Sequence, residues 1–187
     1  MKITIREITF TAVIMAMNIV LSSSIFSIPV PGGHLYANDI IICMAGIILN
    51  PFLAFIAGGV GAFFGDLIFY PTPMFVTLIV RSVQVVVISV FSTFILKKKP
   101  IISSLIGVII GMIIMVGGYT IGRAFFYSTA EYAIMKLPFQ IGQAFLGLLA
   151  LPVCYKFGLK RLFNTYVQKD VYTGDAEDDG KENDKDR

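Results

Sequence analysis

Tryptophan is absent from this sequence, histidine occurs once, cysteine twice, and before Lys169 there are only four acidic residues, Glu7, Asp39, Asp66 and Glu131. Each scarcity closes off a class of chemistry. A zinc or iron centre needs several His, Cys or carboxylate ligands close together, and His34 has no cysteine near it. Cys43 and Cys154 lie far apart in apolar runs, which supports neither a disulfide framework nor a metal site. No Gly-x-x-x-x-Gly-Lys-Ser/Thr run occurs, so the chain does not hydrolyse ATP through a phosphate loop. Neither a Ser-His-Asp set nor paired carboxylates are apparent, so an enzyme is not expected, and no cofactor is. Basic residues form short clusters beside apolar runs rather than a stripe interleaved with aromatics, which sets nucleic-acid binding aside.

What is abundant is apolar. Of 187 residues 56% are hydrophobic and 14% charged, sixteen are Phe, and the mean hydropathy is +0.81. A soluble domain runs nearer 45–50% apolar and about 25% charged, so the surplus faces the lipid bilayer. The charges divide the chain in two. Through residue 168 there are eleven Lys and Arg against four acids, and over residues 169–187 four against eight. Residues 1–168 therefore read as one membrane domain, and 169–187 as an acidic, disordered cytoplasmic tail with no assigned chemistry.

A helix crosses the hydrocarbon in ~20 apolar residues. Six segments emerge between breakers and charges: Ile8 to Phe26, Asp39 to Leu49, Phe52 to Tyr70, Met74 to Leu96, Ile101 to Arg123 and Leu137 to Tyr155. The first is followed by Pro-Val-Pro-Gly-Gly rather than a small-residue cleavage site, so it is expected to be retained. With six crossings, Lys2 and Arg6, Lys97 to Lys99, and Lys156, Lys160 and Arg161 fall on one side, which makes both termini cytoplasmic. The expected fold class is an all-α integral membrane protein with six transmembrane helices. The second helix is too short to cross alone. Irregular backbone is tolerated at membrane depth where it is buried or lines a cavity, so residues 29–38 either dip into the bundle as a ligand lid or form a surface loop.

Polar residues at depth mark function by default. Asp66 and Arg81 sit in the outer halves of neighbouring segments and are close enough to pair, either as a structural ion pair or as ligand contacts. Gln84 follows Arg81 at i+3, Tyr119 precedes Arg123 at i+4, and Gln140 and Gln143 repeat the i+3 spacing, so each pair shares a helix face. Beside the polar loop with His34, Tyr36 and Asn38, these faces describe a pocket open to the outside; the alternative is that they only hydrogen-bond helices together. Small residues recur at four-residue spacing, as in Gly61/Gly65, Gly107/Gly111 and Gly118/Gly122, which permits close helix approach. Ala12 and Ala16 form a similar patch on the first segment, suited to a partner subunit.

These residues resemble the substrate-binding S components of energy-coupling factor (ECF) vitamin transporters, in the branch associated with hydroxymethylpyrimidine. The resemblance is carried by Ile28-Pro-Val-Pro-Gly-Gly leading into Tyr36-Ala-Asn38-Asp39, by Gly46 to Pro51 and Ala57 to Leu67 with Tyr70-Pro71, and by Leu137-Pro-Phe-Gln-Ile-Gly-Gln143 to Pro152. It implies a small-molecule-binding subunit in the bacterial cell membrane that captures a vitamin from outside. Its partners would be a transmembrane scaffold subunit, contacted through Ala12 and Ala16, and two cytoplasmic ATPases. The loop after the first helix and the later helices would supply the substrate contacts: His34, Tyr36, Asn38 and Asp39; Asp66 and Tyr70; Arg81 and Gln84; Tyr119 and Arg123; Gln140 and Gln143. Arg81, Gln84 and Arg123 depart from that branch and make the pocket more basic. Hydroxymethylpyrimidine or pyridoxine is the expected cargo, pantothenate the alternative, because a guanidinium matches a carboxylate. A non-transporting structural or assembly protein is the reading of another class.

Overall fold

The computed structural model describes residues 3–22, 27–30, 33–95, 99–163 and 165; the acidic tail lies outside them. Seven helices and a β-hairpin follow one another within that span. They are α1 (Ile5–Leu21), β1 (Ser27–Val30), β2 (Gly33–Tyr36), α2 (Asp39–Ile48), α3 (Pro51–Phe69), α4 (Met74–Thr93), α5 (Pro100–Phe126), α6 (Ala130–Tyr155) and α7 (Leu159–Phe163).

A capping box starts α1. The Glu7 amide donates to the Thr4 hydroxyl, and the Thr4 amide donates to the Glu7 carboxylate at 3.0 Å, so the helix begins three residues before the expected Ile8. Its buried face is Glu7, Thr11, Ile14 and Asn18, at helical spacing, while Ile5, Ile8, Val13 and Val20 are exposed. That inversion suits a helix whose outer face meets lipid. Ala12 and Ala16 lie on this exposed side.

Apolar on all sides, α2 is correspondingly the buried axis of the molecule: every residue from Ile41 to Leu49 is buried. It stops where Leu49 turns extended before Asn50-Pro51, and Pro51 then opens α3 at the position where its missing N–H costs least. Within α3, residues Phe55–Val60 form a wider π-helical turn. The carbonyls of Ala57 and Gly58 in that turn accept the Asn18 amide of α1 at 3.0 and 3.1 Å. Glycines bring α4 and α5 together. A Cβ at Gly118 or Gly122 would come within 2.6 or 2.4 Å of the Val80 or Val76 side chain, so these positions exclude any larger residue without movement. Ile42, Ile47, Leu49, Val85, Ile88 and Val108 fill the centre.

Among the described residues four helices, α3 to α6, are long and apolar enough to cross a membrane; α1 has 17 residues and α2 10. Two expectations change. Residues 27–30 and 33–36 are not irregular loop but paired antiparallel strands, with Ser27 opposite Tyr36 and Val30 opposite Gly33. Finally, α6 begins at Ala130 rather than Leu137. The charge of Lys136 closed the apolar window at Leu137, whereas the helix runs through Pro138 and carries Lys136 inside.

Opposite the hairpin, the helix ends are joined by a polar cluster. The Lys160 ammonium donates to the Ser92 hydroxyl at 2.7 Å, and the Ser104 and Tyr155 hydroxyls meet at 2.7 Å. Burial lowers the pKa of Lys160. The cluster ties α7 to α4, α5 and α6.

Candidate functional site

At the hairpin end, α2 to α6 and strand β2 converge on a cavity of about 40 Å³. Its deepest charges come from α2 and α4. The Asp39 carboxylate, at the first residue of α2, accepts both terminal nitrogens of the Arg81 guanidinium in a buried ion pair. The same arginine donates to Gln84 Oε1 at 2.9 Å, and Gln143 from α6 donates to the second Asp39 oxygen. Arg81 also stands over the Tyr119 ring, 5.3 Å from its centroid. A fork-shaped cation held by a carboxylate, an amide and an aromatic face is fixed in direction, which a flexible ammonium would not be.

Around this base the wall is polar. Asp66 accepts the Thr77 hydroxyl, and the Tyr119 hydroxyl donates to Thr77 Oγ1 at 2.9 Å, so α3, α4 and α5 share one chain of hydrogen bonds. Arg123 donates to Gln140 Oε1 at 3.4 Å, while the Gln140 amide donates to the Met115 and Val116 carbonyls at 3.2 Å each. Asn38, between the hairpin and α2, donates to Ser22 Oγ at 2.9 Å and to Asn18 Oδ1 at 3.3 Å. This joins the site to α1. Among the described residues, two that line the cavity have a buried polar atom with no hydrogen-bond partner: Asn38 through Oδ1, an acceptor, and Arg81 through Nε, a donor.

Of the residues singled out in the sequence, Tyr36, Asn38, Asp66, Tyr70, Arg81, Tyr119, Arg123, Gln140 and Gln143 line this cavity. Asp39 and Gln84 are buried beneath it and hold Arg81. The His34 side chain lies outside the described part of the structure; its backbone pairs with Pro29 in the hairpin. The pairing considered for Asp66 and Arg81 is replaced by Asp39 with Arg81, because the shortness of α2 sets Asp39 at the depth of Arg81 and Thr77 engages Asp66. Sequence reasoning missed Pro73, Thr77, Met115 and Lys136. Lys136 falls one residue before the expected start of the sixth segment. Its spacing to Gln140 and Gln143, i+4 and i+7, is one helix face and would have found it; Thr77 has the same spacing to Arg81 and Gln84.

Such an arrangement can hold a small polar molecule by donors, acceptors and phenol rings of fixed direction. Among the described residues there is no group of His, Cys, Asp and Glu able to hold a metal ion. A protein of Pyrococcus woesei, described as an uncharacterized protein in a gap 3' region, is 31% identical over 103 residues, covering 54% of this chain and 68% of that one. The model of the family described as ECF-type riboflavin transporter, S component, matches residues 2–157. With that match over nearly all of its helical body, and with four apolar helices long enough to span a bilayer, the chain belongs to the ECF-type riboflavin transporter S component family, multi-pass membrane substrate-binding components of transporters rather than enzymes.

Proposed function

We propose that this chain is the vitamin-binding subunit of an ATP-driven ECF importer, capturing its cargo in the cavity between the hairpin and α2 to α6. The observation that carries this reading is the pair of unpartnered buried atoms, Asn38 Oδ1 and Arg81 Nε, on residues that line one cavity. A buried polar group without a partner costs about 1–3 kcal/mol, and a bound molecule that supplies the missing donor and acceptor offsets that cost. A purely structural cluster gains nothing by leaving them unmade.

The cargo is a vitamin or precursor with ring nitrogens, hydroxyls or amino groups, with hydroxymethylpyrimidine or pyridoxine foremost. Asp66, Asn38 and Gln140 offer the amide and carboxylate partners such rings require, and Tyr36, Tyr70 and Tyr119 offer aromatic faces. Pantothenate is the alternative, favoured by the basic side chains of Arg123 and Lys136 in the wall. Riboflavin enters through the family's description.

In the membrane, α1 and α2 join α3 to α6 to make six crossings, with the hairpin completing the short path of α2. Arg6, Lys99, Lys156, Lys160 and Arg161 then lie on the cytoplasmic side together with both termini, and the cavity faces outward. Ala12 and Ala16, exposed on α1, receive the scaffold subunit, which couples the chain to two ATPases. Native mass spectrometry of the chain purified in detergent from cells grown in rich medium tests the reading. A stoichiometric pyrimidine, pyridoxine, pantothenate or flavin is expected; an empty chain whose thermal unfolding no vitamin shifts would favour a structural or assembly role instead.

A further inference from the structure

The corner between α6 and α7 is held to the bundle by its inner face. At Gly158 the backbone takes φ +69°, a conformation that favours glycine, and turns the chain out of α6. Leu159 then packs against the core, Lys160 donates to Ser92 at 2.7 Å, and the Phe163 ring meets that of Phe10 with centroids 5.0 Å apart. Arg161 and Leu162 are left on the outer face, exposed.

Between that outer face and the end of α6 lies a hollow of about 250 Å³, lined by Phe157, Gly158, Arg161, Leu162 and Thr165. Phe157 is 80% exposed and Leu162 53%, so two large apolar side chains bracket a guanidinium. Water suits the guanidinium and hydrocarbon suits the two side chains beside it. The boundary between bilayer and aqueous phase offers both.

Charge at this end is of one sign. Lys99, Lys156 and Arg161 are exposed, and none has a carboxylate within ion-pair distance among the described residues. The acids that precede Lys169 are elsewhere or occupied. Asp39 and Asp66 are buried at the cavity end, Glu131 opens α6 at that same end, and Glu7 is buried in the capping box of α1. A positive surface with apolar neighbours selects a partner that is anionic and hydrocarbon in one molecule.

We propose that this hollow binds an anionic phospholipid, its phosphate on the Arg161 guanidinium and its acyl chains against Phe157 and Leu162. A guanidinium offers two parallel N–H groups to two phosphate oxygens, so Arg161 orients the headgroup, while Lys156 adds charge without direction. The hollow lies at the end of the molecule opposite the cavity, so lipid and cargo bind separately. By charge alone residues 169–187, with eight acids against four bases, are the rival occupant. Their only apolar side chains are Val171, Tyr172 and Ala176, whereas the hollow presents hydrocarbon as well as charge, which favours the lipid.

Native mass spectrometry of the full chain, titrated with phosphatidylglycerol and with phosphatidylcholine of the same acyl chains, tests this on wild type, Arg161→Gln, Phe157→Ala and Lys99→Gln. Each substituted side chain is exposed, so unchanged unfolding temperatures serve as the folding control. Phosphatidylglycerol is expected to bind wild type at least about fivefold more tightly than phosphatidylcholine, the factor one basic residue near a membrane surface supplies. Arg161→Gln should remove most of that preference, and Phe157→Ala should weaken both lipids. Lys99 does not line the hollow, so Lys99→Gln should leave phosphatidylglycerol binding within about twofold. Equal binding of the two lipids by wild type would overturn the proposal. So would a loss with Lys99→Gln as large as with Arg161→Gln, which would mean diffuse attraction to a positive surface. Phosphatidylglycerol binding that emerges only when Asp175→Asn, Glu177→Gln, Asp178→Asn and Asp179→Asn are combined in the full chain would make the acidic tail the occupant instead.

Discussion

The decisive residue-level feature is a buried arginine whose charge is met by the Asp39 carboxylate and the Gln84 amide oxygen. Burying a guanidinium in a membrane protein is tolerable only with a partner of opposite charge, and removing that partner leaves an uncompensated ion. Asp39→Ala is therefore expected to lower stability by about 3–5 kcal/mol, and Arg81→Ala by a similar amount. The double variant should lose clearly less than the two together, since each single change already breaks the pair. Thermal unfolding of the three variants in one detergent checks this. Asp66 differs, because its partner in the structure is the neutral Thr77 hydroxyl. Asp66→Asn keeps an acceptor for that hydroxyl, so stability is expected to fall by less than about 1 kcal/mol, while the loss of its charge should weaken ligand binding. Tight binding by Asp66→Asn would remove Asp66 from the ligand contacts.

Among the elements, α1 and α3 interlock through a side chain rather than through hydrocarbon alone. The π turn at Phe55–Val60 presents the Ala57 and Gly58 carbonyls to Asn18, which also accepts from Asn38 at the edge of the cavity. Asn18→Leu should destabilise the fold by about 1–3 kcal/mol through the two stranded carbonyls, and should weaken ligand binding because Asn38 loses one of its anchors. Unfolding and binding measured on the same preparation separate the two effects.

How much of this was legible depends on the kind of signal. Long apolar helices announce themselves by composition, so α3, α4 and α5 stand within a few residues of their expected limits. So did the convergence of Arg81, Tyr119, Arg123, Gln140 and Gln143, because i+3 and i+4 spacing fixes which side chains share a face. The hairpin was hidden by its prolines, which read as loop although Pro29 lies within a paired strand. The true partner of Arg81 was hidden because the depth of Asp39 depends on how a ten-residue helix is seated, a tertiary fact absent from local pattern. The π turn likewise has no composition of its own.

At the scale of the whole molecule the two ends differ in kind. One end gathers the cavity and the hairpin; the other gathers Lys99, Lys156, Lys160 and Arg161, with the Ser92, Ser104 and Tyr155 hydroxyls beneath. Under the proposed function, cargo enters at one face and the driving subunits act at the other, which requires that polarity. The exposed small residues of α1 run along the side of the bundle, where Ala12 also borders an apolar hollow with Phe52 and Ile56. Ala12→Leu is expected to prevent co-purification of a scaffold subunit while leaving vitamin affinity unchanged within about twofold, since α1 meets the site through Asn18 and Ser22 on its opposite face. An intact complex with Ala12→Leu would place the scaffold contact elsewhere.

Under the proposed function, this chain alone, without scaffold or ATPase, binds a vitamin in the cavity built on Arg81 and Asn38. The most direct measurement is calorimetric titration of the purified chain in lipid nanodiscs against a panel of hydroxymethylpyrimidine, pyridoxine, pantothenate and riboflavin. Saturation at one molecule per chain, with submicromolar affinity, is expected for one member of the panel. A folded, ligand-free chain that gives no binding isotherm with any of them would contradict it.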